Sequence, residues 1–427
     1  MTGFFDALLA ALVALALNLV VLSRIRIEYP GEEGRFLATT YRWTLLLRYG
    51  LAFVLNSYAK ESSFAAMFWG DSSTYDWAGY TLAQSWGEDY YIVSQYTPAW
   101  VSGYGFIYFV GVIYWAFGRN QLLVQFVNGT LGSLTVVVIY AIARLLFDEG
   151  AARWAARFMA FFPQVIFWSA AMYKDPAIML CIAVSMYAVL RLARSFNPGM
   201  LLLFIAAVLC LMTLRFYVFY IVAFATLGTF LFGQRRGLFG NLLASIVLLG
   251  AFMGAYTFAA SKEVVEQHVS YLDLDKLQQS RLDLSQSARS GFGVERDVST
   301  RAGALSALPV GLVYLLFAPF PWMATGLRQL LTVPEMLVWY ALMPAFVRGL
   351  AYGIRHRLRD CLPILVFAGT LTLAYAVFQG NVGTAYRQRT QITMFFFVFI
   401  GVGLARRQEA RQSTRVRAAV AGHALPR

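Results

Sequence analysis

Long apolar runs alternate with short polar segments along the whole chain. A helix needs about 20 mostly apolar residues to cross a bilayer, so about eleven of these runs are predicted to span a membrane. The predicted spans are residues 4–22, 43–59, 121–147, 154–172, 176–195, 200–214, 216–233, 239–260, 333–350, 361–379 and 391–405. The apolar residues are continuous within each run, which favours helices over the alternating strands of a membrane barrel. We therefore predict an all-α polytopic membrane protein.

The positions of the arginines predict which ends of the spans face the cytoplasm, because positively charged turns stay inside. Arginines are concentrated at residues 23–42, 144–157, 191–194 and 355–359 and in the tail, residues 406–427. Placing these segments inside puts the N-terminus outside and leaves the tail as a basic cytoplasmic extension. We expect an integral protein of a bacterial inner membrane in this orientation.

Two further apolar segments, residues 99–117 and 307–325, do not fit this orientation as crossings. Each would begin and end outside, so we predict juxtamembrane or re-entrant helices on the external side. The first lies in an external loop, residues 60–120, which carries a second surface helix at 72–86, where the apolar side chains recur with a helical period. A second large external loop is predicted at residues 261–306.

Composition supports one transmembrane domain over residues 1–427. Apolar residues make up 59% of the chain, charged residues only 13%, and the mean hydropathy is +0.60. These values exclude a soluble globular enzyme and a disordered chain. The net charge of +13 does not indicate nucleic-acid binding, because the basic residues lie at span ends. The three cysteines lack the spacing of a zinc site and do not indicate a disulfide framework.

The predicted topology brings isolated charges to the external side from separate turns. The surface helix begins at Asp71, and the other charges lie on turns between spans. These turn residues are Lys174, Asp175, Arg215, Arg387 and Arg389.

This set of residue types suits the transfer of a sugar from a lipid phosphate. Guanidinium groups bind phosphate through two parallel hydrogen bonds. A neighbouring carboxylate can take the proton of an acceptor hydroxyl as that hydroxyl attacks a sugar carbon. We predict Asp71 and Asp175 as catalytic residues, and Lys174, Arg215, Arg387 and Arg389 as substrate-binding residues.

Simpler roles exist for the same residues. Asp71 and Asp175 are both placed where an aspartate would cap a helix, and Asp175 precedes a proline as helix starts often do. The arginines could snorkel or bind lipid headgroups. Three other acids, Asp76, Glu88 and Asp89, are expected to lie on a solvated loop face.

Four sequence segments, taken in order, resemble the GT-C superfamily of polyprenyl-phosphate-sugar glycosyltransferases. The segments are residues 70–75 (Gly-Asp-Ser-Ser-Thr-Tyr), 96–98 (Tyr-Thr-Pro), 128–135 (Asn-Gly-Thr-Leu-Gly-Ser-Leu-Thr) and 173–176 (Tyr-Lys-Asp-Pro). The superfamily includes the protein O-mannosyltransferases and the lipid A aminoarabinose transferases. The resemblance covers roughly residues 41–235, and the rest of the chain is similar to membrane proteins of bacterial surface-polysaccharide clusters at residues 319–322 and 383–389.

The resemblance implies a GT-C-like helical bundle with two juxtamembrane helices in its first external loop. It makes Asp71 the catalytic acidic residue of that loop, Asp175 the acidic residue of the second loop and Tyr75 a candidate substrate contact. It implies no certain cofactor, and a divalent cation held by Asp71 and Asp175 stays an open alternative.

The expected function is transfer of a sugar from a polyprenyl-phosphate donor to a glycan or lipid acceptor outside the membrane, in the synthesis of surface polysaccharide or other envelope glycans. The expected partners are that donor, the acceptor and membrane lipids, with no nucleic acid. Two alternatives stay open at this point. A polymerase or ligase of lipid-linked glycans would use the arginines without an acid pair, and a flippase would need polar groups along a path through both leaflets.

Overall fold

A computed structural model describes residues 3–58, 70–88, 104–233, 250, 254, 274–286, 291–292, 297–324 and 326–423. These residues form helices and turns with one isolated bridge between Gly291 and Asn381 and no strand, which confirms the predicted all-α fold class. The α-helices, numbered in chain order, are α1 Phe4–Glu28, α2 Gly31–Tyr58, α3 Gly70–Glu88, α4 Tyr104–Phe117, α5 Gln121–Leu146, α6 Glu149–Phe161, α7 Pro163–Ala170, α8 Asp175–Arg194, α9 Pro198–Leu214, α10 Phe216–Gly228, α11 Leu274–Gln286, α12 Arg301–Phe317, α13 Leu327–Leu330, α14 Val333–Phe378, α15 Val382–Gln388 and α16 Thr390–His423.

Polar caps and prolines set the helix starts. The Asn120 side chain accepts a hydrogen bond from the Leu123 N–H at the start of α5, and Asp148 and Asn197 do the same for α6 and α9. Proline stands in the first turn of α7, α8 and α9, where its missing N–H has no intrahelical partner to lose. The turns therefore fall close to the span boundaries expected from hydropathy.

A buried arginine holds the break between α6 and α7. Residues 154–172 are predicted as one span, but the helix stops at Phe161 and restarts at Pro163. The side chain of Arg48, in α2, is fully buried there. Its guanidinium donates to the Ala160 carbonyl at 3.1 Å and to Ser169 Oγ at 2.8 Å. The second predicted span, 43–59, although mostly apolar, therefore contains a buried cation, Arg48.

Helix α14 is a hairpin of two arms. Its 46 residues are interrupted at Arg357, whose φ and ψ of −139° and 27° are not helical. A Cβ atom added to Gly353 would lie 3.5 Å from Cys361 Sγ. Eight helical residues rise about 12 Å, so the chain must fold back on itself at this bend. The bend lies in the arginine-rich segment 355–359, between the predicted spans 333–350 and 361–379.

Small residues let the helices of the core approach closely. Gly349 of α14 lies against the backbone of Phe399 in α16, and Gly401 of α16 lies against the backbone of Ala151 in α6. A methyl group at either glycine would collide with those backbone atoms. Close contacts between small residues are a common basis of helix association in membranes.

Charged contacts mark two opposite ends of the bundle. At one end, here called the basic end, Arg144 pairs with Glu33 at 3.0 Å and Arg406 pairs with Asp148 at 3.3 Å. At the other, the site end, are the first turns of α3 and α8 and the short helix α15. Three of the arginine-rich segments predicted to be cytoplasmic, residues 23–42, residues 144–157 and the beginning of the tail at Arg406, thus share one end.

Several helices of the described chain are long and apolar enough to cross a membrane. These are α1, α5, α8 and α14, and the pair α15 and α16, bent by 52°, would make a fifth if taken as one span. Shorter apolar helices are Tyr104–Phe117, Pro198–Leu214, Phe216–Leu231 and Arg301–Phe317. Apart from residues 250 and 254, the predicted span 239–260 lies outside the described residues, and so does much of the predicted loops 60–120 and 261–306. The total of about eleven crossings stays a prediction, as does the side that each end faces.

Cysteine labelling tests the two ends. In a variant lacking the three native cysteines, Thr74→Cys and Asp283→Cys should react with a membrane-impermeant maleimide from one side of sealed vesicles. Arg355→Cys should react only from the other side, because Arg355 closely follows Tyr352, whose ring centre lies 4.6 Å from the guanidinium carbon of Arg406 at the basic end. Labelling of all three variants from the same side would contradict the assignment of ends.

Candidate active site

One arginine joins the two acids that the sequence singles out. Arg387 donates from Nε to Asp175 Oδ2 at 2.6 Å and from Nη1 to Asp71 Oδ2 at 2.6 Å. The three residues come from α15, α8 and α3, which are far apart in the sequence. The guanidinium fork thus positions two carboxylates side by side at the site end.

Local structure explains how each residue reaches this point. Both acids stand in the first turn of a helix, where the helix dipole favours negative charge. The N-cap of α8 is Lys174, and no side chain caps that helix. Asp175 directs its carboxylate to arginine instead. Capping alone therefore does not account for Asp175.

The turn before α15 is fixed on both sides. Asn381 caps α15 by accepting from the Gly383 N–H at 2.8 Å. The Phe292 N–H donates to the Gly380 carbonyl at 2.8 Å, which ties the segment before α12 to the same turn. Arg387 is thus carried by a short helix with little freedom at its start.

The two acids differ in their access to solvent. The side chain of Asp175 is 0% exposed, whereas that of Asp71 is 55% exposed. Asp175 faces two cations inside the protein, and Asp71 contacts Arg387 with one oxygen, Oδ2. An incoming hydroxyl group could reach Asp71 but not Asp175.

Arg215 forms the second cation around Asp175. It lies between α9 and α10, with Nη2 at 3.7 Å from Asp175 Oδ1 and Nη1 at 3.4 Å from the Tyr375 hydroxyl. The Tyr375 hydroxyl in turn donates to Gln391 Oε1 at 2.9 Å. Tyr375 and Gln391 lie inside predicted spans, so no charge or motif signals their role.

Lys174 adds a third cation, whose charge depends on pH. Its side chain is buried, and burial together with the positive charge of Arg215 lowers the pKa of Lys174 to about 7. Lys174, Arg215 and Arg387 outnumber the two carboxylates when the lysine is protonated. The cluster then has an excess of positive charge, which suits an anionic group such as phosphate.

Aromatic side chains line the other side of Arg387. Its guanidinium carbon lies 4.2 Å from the ring centre of Tyr173 and 5.4 Å from that of Trp168. The remaining nitrogen, Nη2, is buried and has no hydrogen-bond partner among the described residues. Tyr173 belongs to the 173–176 segment quoted above, but Trp168 lies in an apolar run and is not identifiable from sequence.

Tyr75 lies beside the charged cluster. Among the described residues, its hydroxyl makes no hydrogen bond to the charged groups. Its ring meets that of Phe106 edge to face at 4.9 Å. Burial raises the pKa of Tyr75, and the negative charge of Asp71 raises it further. Tyr75 therefore packs α3 against α4 directly below Asp71.

Arg389 lies apart from the acids although it is only two residues from Arg387. Its fully buried guanidinium donates to the carbonyls of Leu316 at 2.9 Å and Ala318 at 3.0 Å, at the end of α12. Its face lies 5.4 Å from the ring centre of Trp339. The sequence groups Arg389 with Arg387, but the helix bend directs the two side chains to different surroundings.

The position of Asp76 differs from the one predicted from the sequence. It is expected on a solvated face, yet it is only 4% exposed and pairs with Arg119 at 2.5 Å. The Tyr114 hydroxyl also donates to it at 2.6 Å. Burial raises the pKa of Asp76, but the hydrogen bonds from Arg119 and Tyr114 outweigh this and hold it below its usual value. Asp76 therefore fastens α3 to α4. Glu88 is described only as backbone, and Asp89 lies outside the described residues.

The ligands that the described residues place around Asp71 and Asp175 do not fit a divalent cation. Among the described residues, no three His, Cys, Asp or Glu side chains are grouped as metal ligands. Asp71 and Asp175 are instead bridged by the guanidinium of Arg387, which takes the position that a cation would need. No chemical step is therefore assigned to a metal.

Comparison with known proteins agrees with this fold. Residues 103–260 match the family model described as dolichyl-phosphate-mannose-protein mannosyltransferase. No curated protein is significantly similar to the chain.

Two solved structures of the oligosaccharyltransferase of Archaeoglobus fulgidus are similar in fold. The archaeal enzyme AglB in complex with an inhibitory peptide and a dolichol-phosphate is 12% identical, with a TM-score of 0.51 over 83% of this chain and 48% of that chain. The apo form is 14% identical, with a TM-score of 0.53 over 92% of this chain and 53% of that chain. The chain thus spans about half the length of these structures.

The helical bundle is therefore similar in fold to that of the archaeal oligosaccharyltransferase. The family match over residues 103–260 and the shared fold agree with the resemblance to the GT-C superfamily seen in the sequence.

Proposed function

We propose that the protein transfers a sugar from a polyprenyl-phosphate donor to a glycan or lipid acceptor at the external face of a bacterial inner membrane. The reaction would serve the synthesis of surface polysaccharide or another envelope glycan. The observation that carries this proposal is the bridge by which Arg387 joins Asp71 to Asp175. It combines an accessible carboxylate with phosphate-binding groups in one place.

The cation cluster supports a lipid-phosphate donor. Arg387 has one nitrogen without a partner among the described residues, and the positive charges of Arg215 and Lys174 also act on Asp175. A charge-assisted hydrogen bond to phosphate would satisfy that nitrogen. The related fold of AglB was solved with a dolichol-phosphate, a lipid phosphate of the kind proposed here.

In the proposed reaction, Asp71 acts as the general base. The acceptor hydroxyl oxygen attacks the anomeric carbon, and the bond from that carbon to the phosphate oxygen breaks. The hydroxyl proton passes to Asp71, and the polyprenyl phosphate leaves with the bonding electrons. Arg387, Arg215 and Lys174 stabilise the negative charge that grows on this phosphate. One displacement of this kind inverts the configuration of the sugar carbon.

Asp175 acts as a positioning residue in this scheme. Its carboxylate is fully buried and lies between Arg387 and Arg215, so it has no access to a substrate hydroxyl. A buried carboxylate that pairs with two guanidinium groups can fix both of them in place. Asp175 thus orients the phosphate-binding groups, and Asp71 performs the proton transfer.

Replacing Asp71 by asparagine tests the base. Asparagine retains the size and most of the capping capacity of aspartate, so expression and folding should be normal. Loss of a general base should reduce the transfer rate by ~10²–10⁴-fold. The measurement is transfer of labelled sugar from polyprenyl phosphate in membranes, normalised to protein level.

Asp6→Asn is the matched control, because Asp6 is also an exposed aspartate in the first turn of a helix at the site end. It should retain normal activity. If Asp71→Asn keeps more than about a tenth of the wild-type rate, Asp71 is not the base, and a polymerase, ligase or flippase becomes the better hypothesis.

Substitutions of the two nearby arginines, Arg387 and Arg389, should affect different properties of the protein. Arg387→Lys loses the two-pronged guanidinium and should weaken donor binding by roughly tenfold to 150-fold, equivalent to about 1.5–3 kcal/mol. Arg389→Lys should instead lower thermal stability, since its partners are buried carbonyls. Donor affinity and melting temperature are measured for both variants in detergent. Equal loss of donor affinity in the two variants would place Arg389 in the binding site.

The low pKa of Lys174 predicts that donor binding depends on pH. Phosphate prefers the protonated lysine, so affinity should be highest below pH 7 and should fall as the pH rises above 7, by up to about tenfold per pH unit. Affinity is measured with a methyl phosphodiester of polyprenol as the probe, because the charge of this compound is constant over this pH range. Lys174→Arg, which stays charged, should flatten the profile. An unchanged profile in Lys174→Arg would assign the dependence to another group.

A further inference from the structure

A groove of about 450 Å³ opens at the basic end, away from Asp71 and Asp175. It lies between the first half of α2 and the second half of α6. Its lining residues are Glu32, Arg35, Phe36, Thr39, Thr40, Trp43, Arg157 and Phe161. We call it the basic-end groove.

The cation at its centre is Arg157. Its guanidinium carbon lies 5.1 Å from the ring centre of Phe36 and 5.1 Å from that of Trp154. Within the described part of the chain, Arg157 has no acidic partner. The planar group is therefore held in position by aromatic rings while its hydrogen-bond donors stay available for a ligand.

The groove changes from polar to apolar along its length. Glu32 and Arg35 stand at its outer end, paired at 2.6 Å and both well exposed. Trp43 and Phe161 stand at the inner end and are 55% and 43% exposed. Eight residues of helix separate Arg35 from Trp43, a rise of about 12 Å along the helix axis. A ligand that fits this groove has an anionic head and an apolar tail.

We propose that the basic-end groove binds an anionic membrane phospholipid, with the lipid phosphate at Arg157 and Arg35 and an acyl chain along Trp43 and Phe161. Two arginines against one glutamate give the groove a positive excess, which complements a phosphodiester. The Thr39 hydroxyl, on the exposed side of α2, can donate to the same headgroup. This site is separate from the proposed reaction, so its existence does not depend on the proposed function.

Native mass spectrometry of the full chain in detergent tests the proposal with equal amounts of phosphatidylglycerol and phosphatidylcholine. The wild type should retain one phosphatidylglycerol in preference to phosphatidylcholine. Arg157→Gln should weaken that binding by roughly tenfold to 150-fold, as expected for loss of a charge-assisted contact. Arg355→Gln removes an exposed arginine at the same end outside the groove and should leave the affinity unchanged.

A second measurement locates the acyl chain and does not need Arg157→Gln to fold. Phosphatidylglycerol brominated in its acyl chains should quench the part of the tryptophan fluorescence that Trp43→Phe removes. Arg35→Gln, a change at an exposed side chain, should reduce this quenching.

Three results of the lipid-binding measurements would overturn the proposal. They are equal binding of the two lipids by the wild type, equal weakening by Arg355→Gln and Arg157→Gln, and displacement of the lipid by millimolar glycerol 3-phosphate. The last of these would assign the groove to a soluble phosphate. Absence of Trp43 quenching, or quenching unaffected by Arg35→Gln, would equally exclude the assigned lipid pose.

Discussion

The site depends on one guanidinium shared by two carboxylates. Buried charges are costly unless each one is paired, and Arg387 pairs with Asp71 and Asp175 at once. This requirement brings together the first turns of α3 and α8 and the short helix α15. The two acids differ in solvent exposure, since only Asp71 lies at the surface. The proposed division between a reacting acid, Asp71, and a positioning acid, Asp175, rests on this difference in burial.

Two other buried arginines have no carboxylate partner among the described contacts and are stabilised by helix ends instead. Arg48 donates to carbonyls at the end of α6, and Arg389 donates to carbonyls at the end of α12. The last carbonyls of a helix lack intrahelical partners and carry the negative end of its dipole. In both places the buried cation satisfies the backbone that a broken or ended helix leaves open. Charge in the core therefore serves structure as well as chemistry.

Hydropathy was sufficient to predict the all-α class. The arginine distribution was sufficient to group Asp71, Asp175 and Arg387, because it places their turns on the same face of the membrane. Neither was sufficient to separate Arg389 from Arg387, since the bend that divides them depends on tertiary packing. Asp76 illustrates the same limit: its burial depends on Arg119, which is remote in sequence. Tyr375 and Trp168 carry no signal because aromatic residues in apolar spans are common.

The tie between Arg389 and the end of α12 has a mechanical consequence. Arg389 and Arg387 are separated by half a helical turn, and the turn before α15 is also hydrogen-bonded to Phe292, which precedes α12. Helix α12 and the segment that carries the Arg387 guanidinium are therefore joined at two attachment points. A displacement of α12 would therefore be transmitted to the distances between Arg387 and the two acids, Asp71 and Asp175.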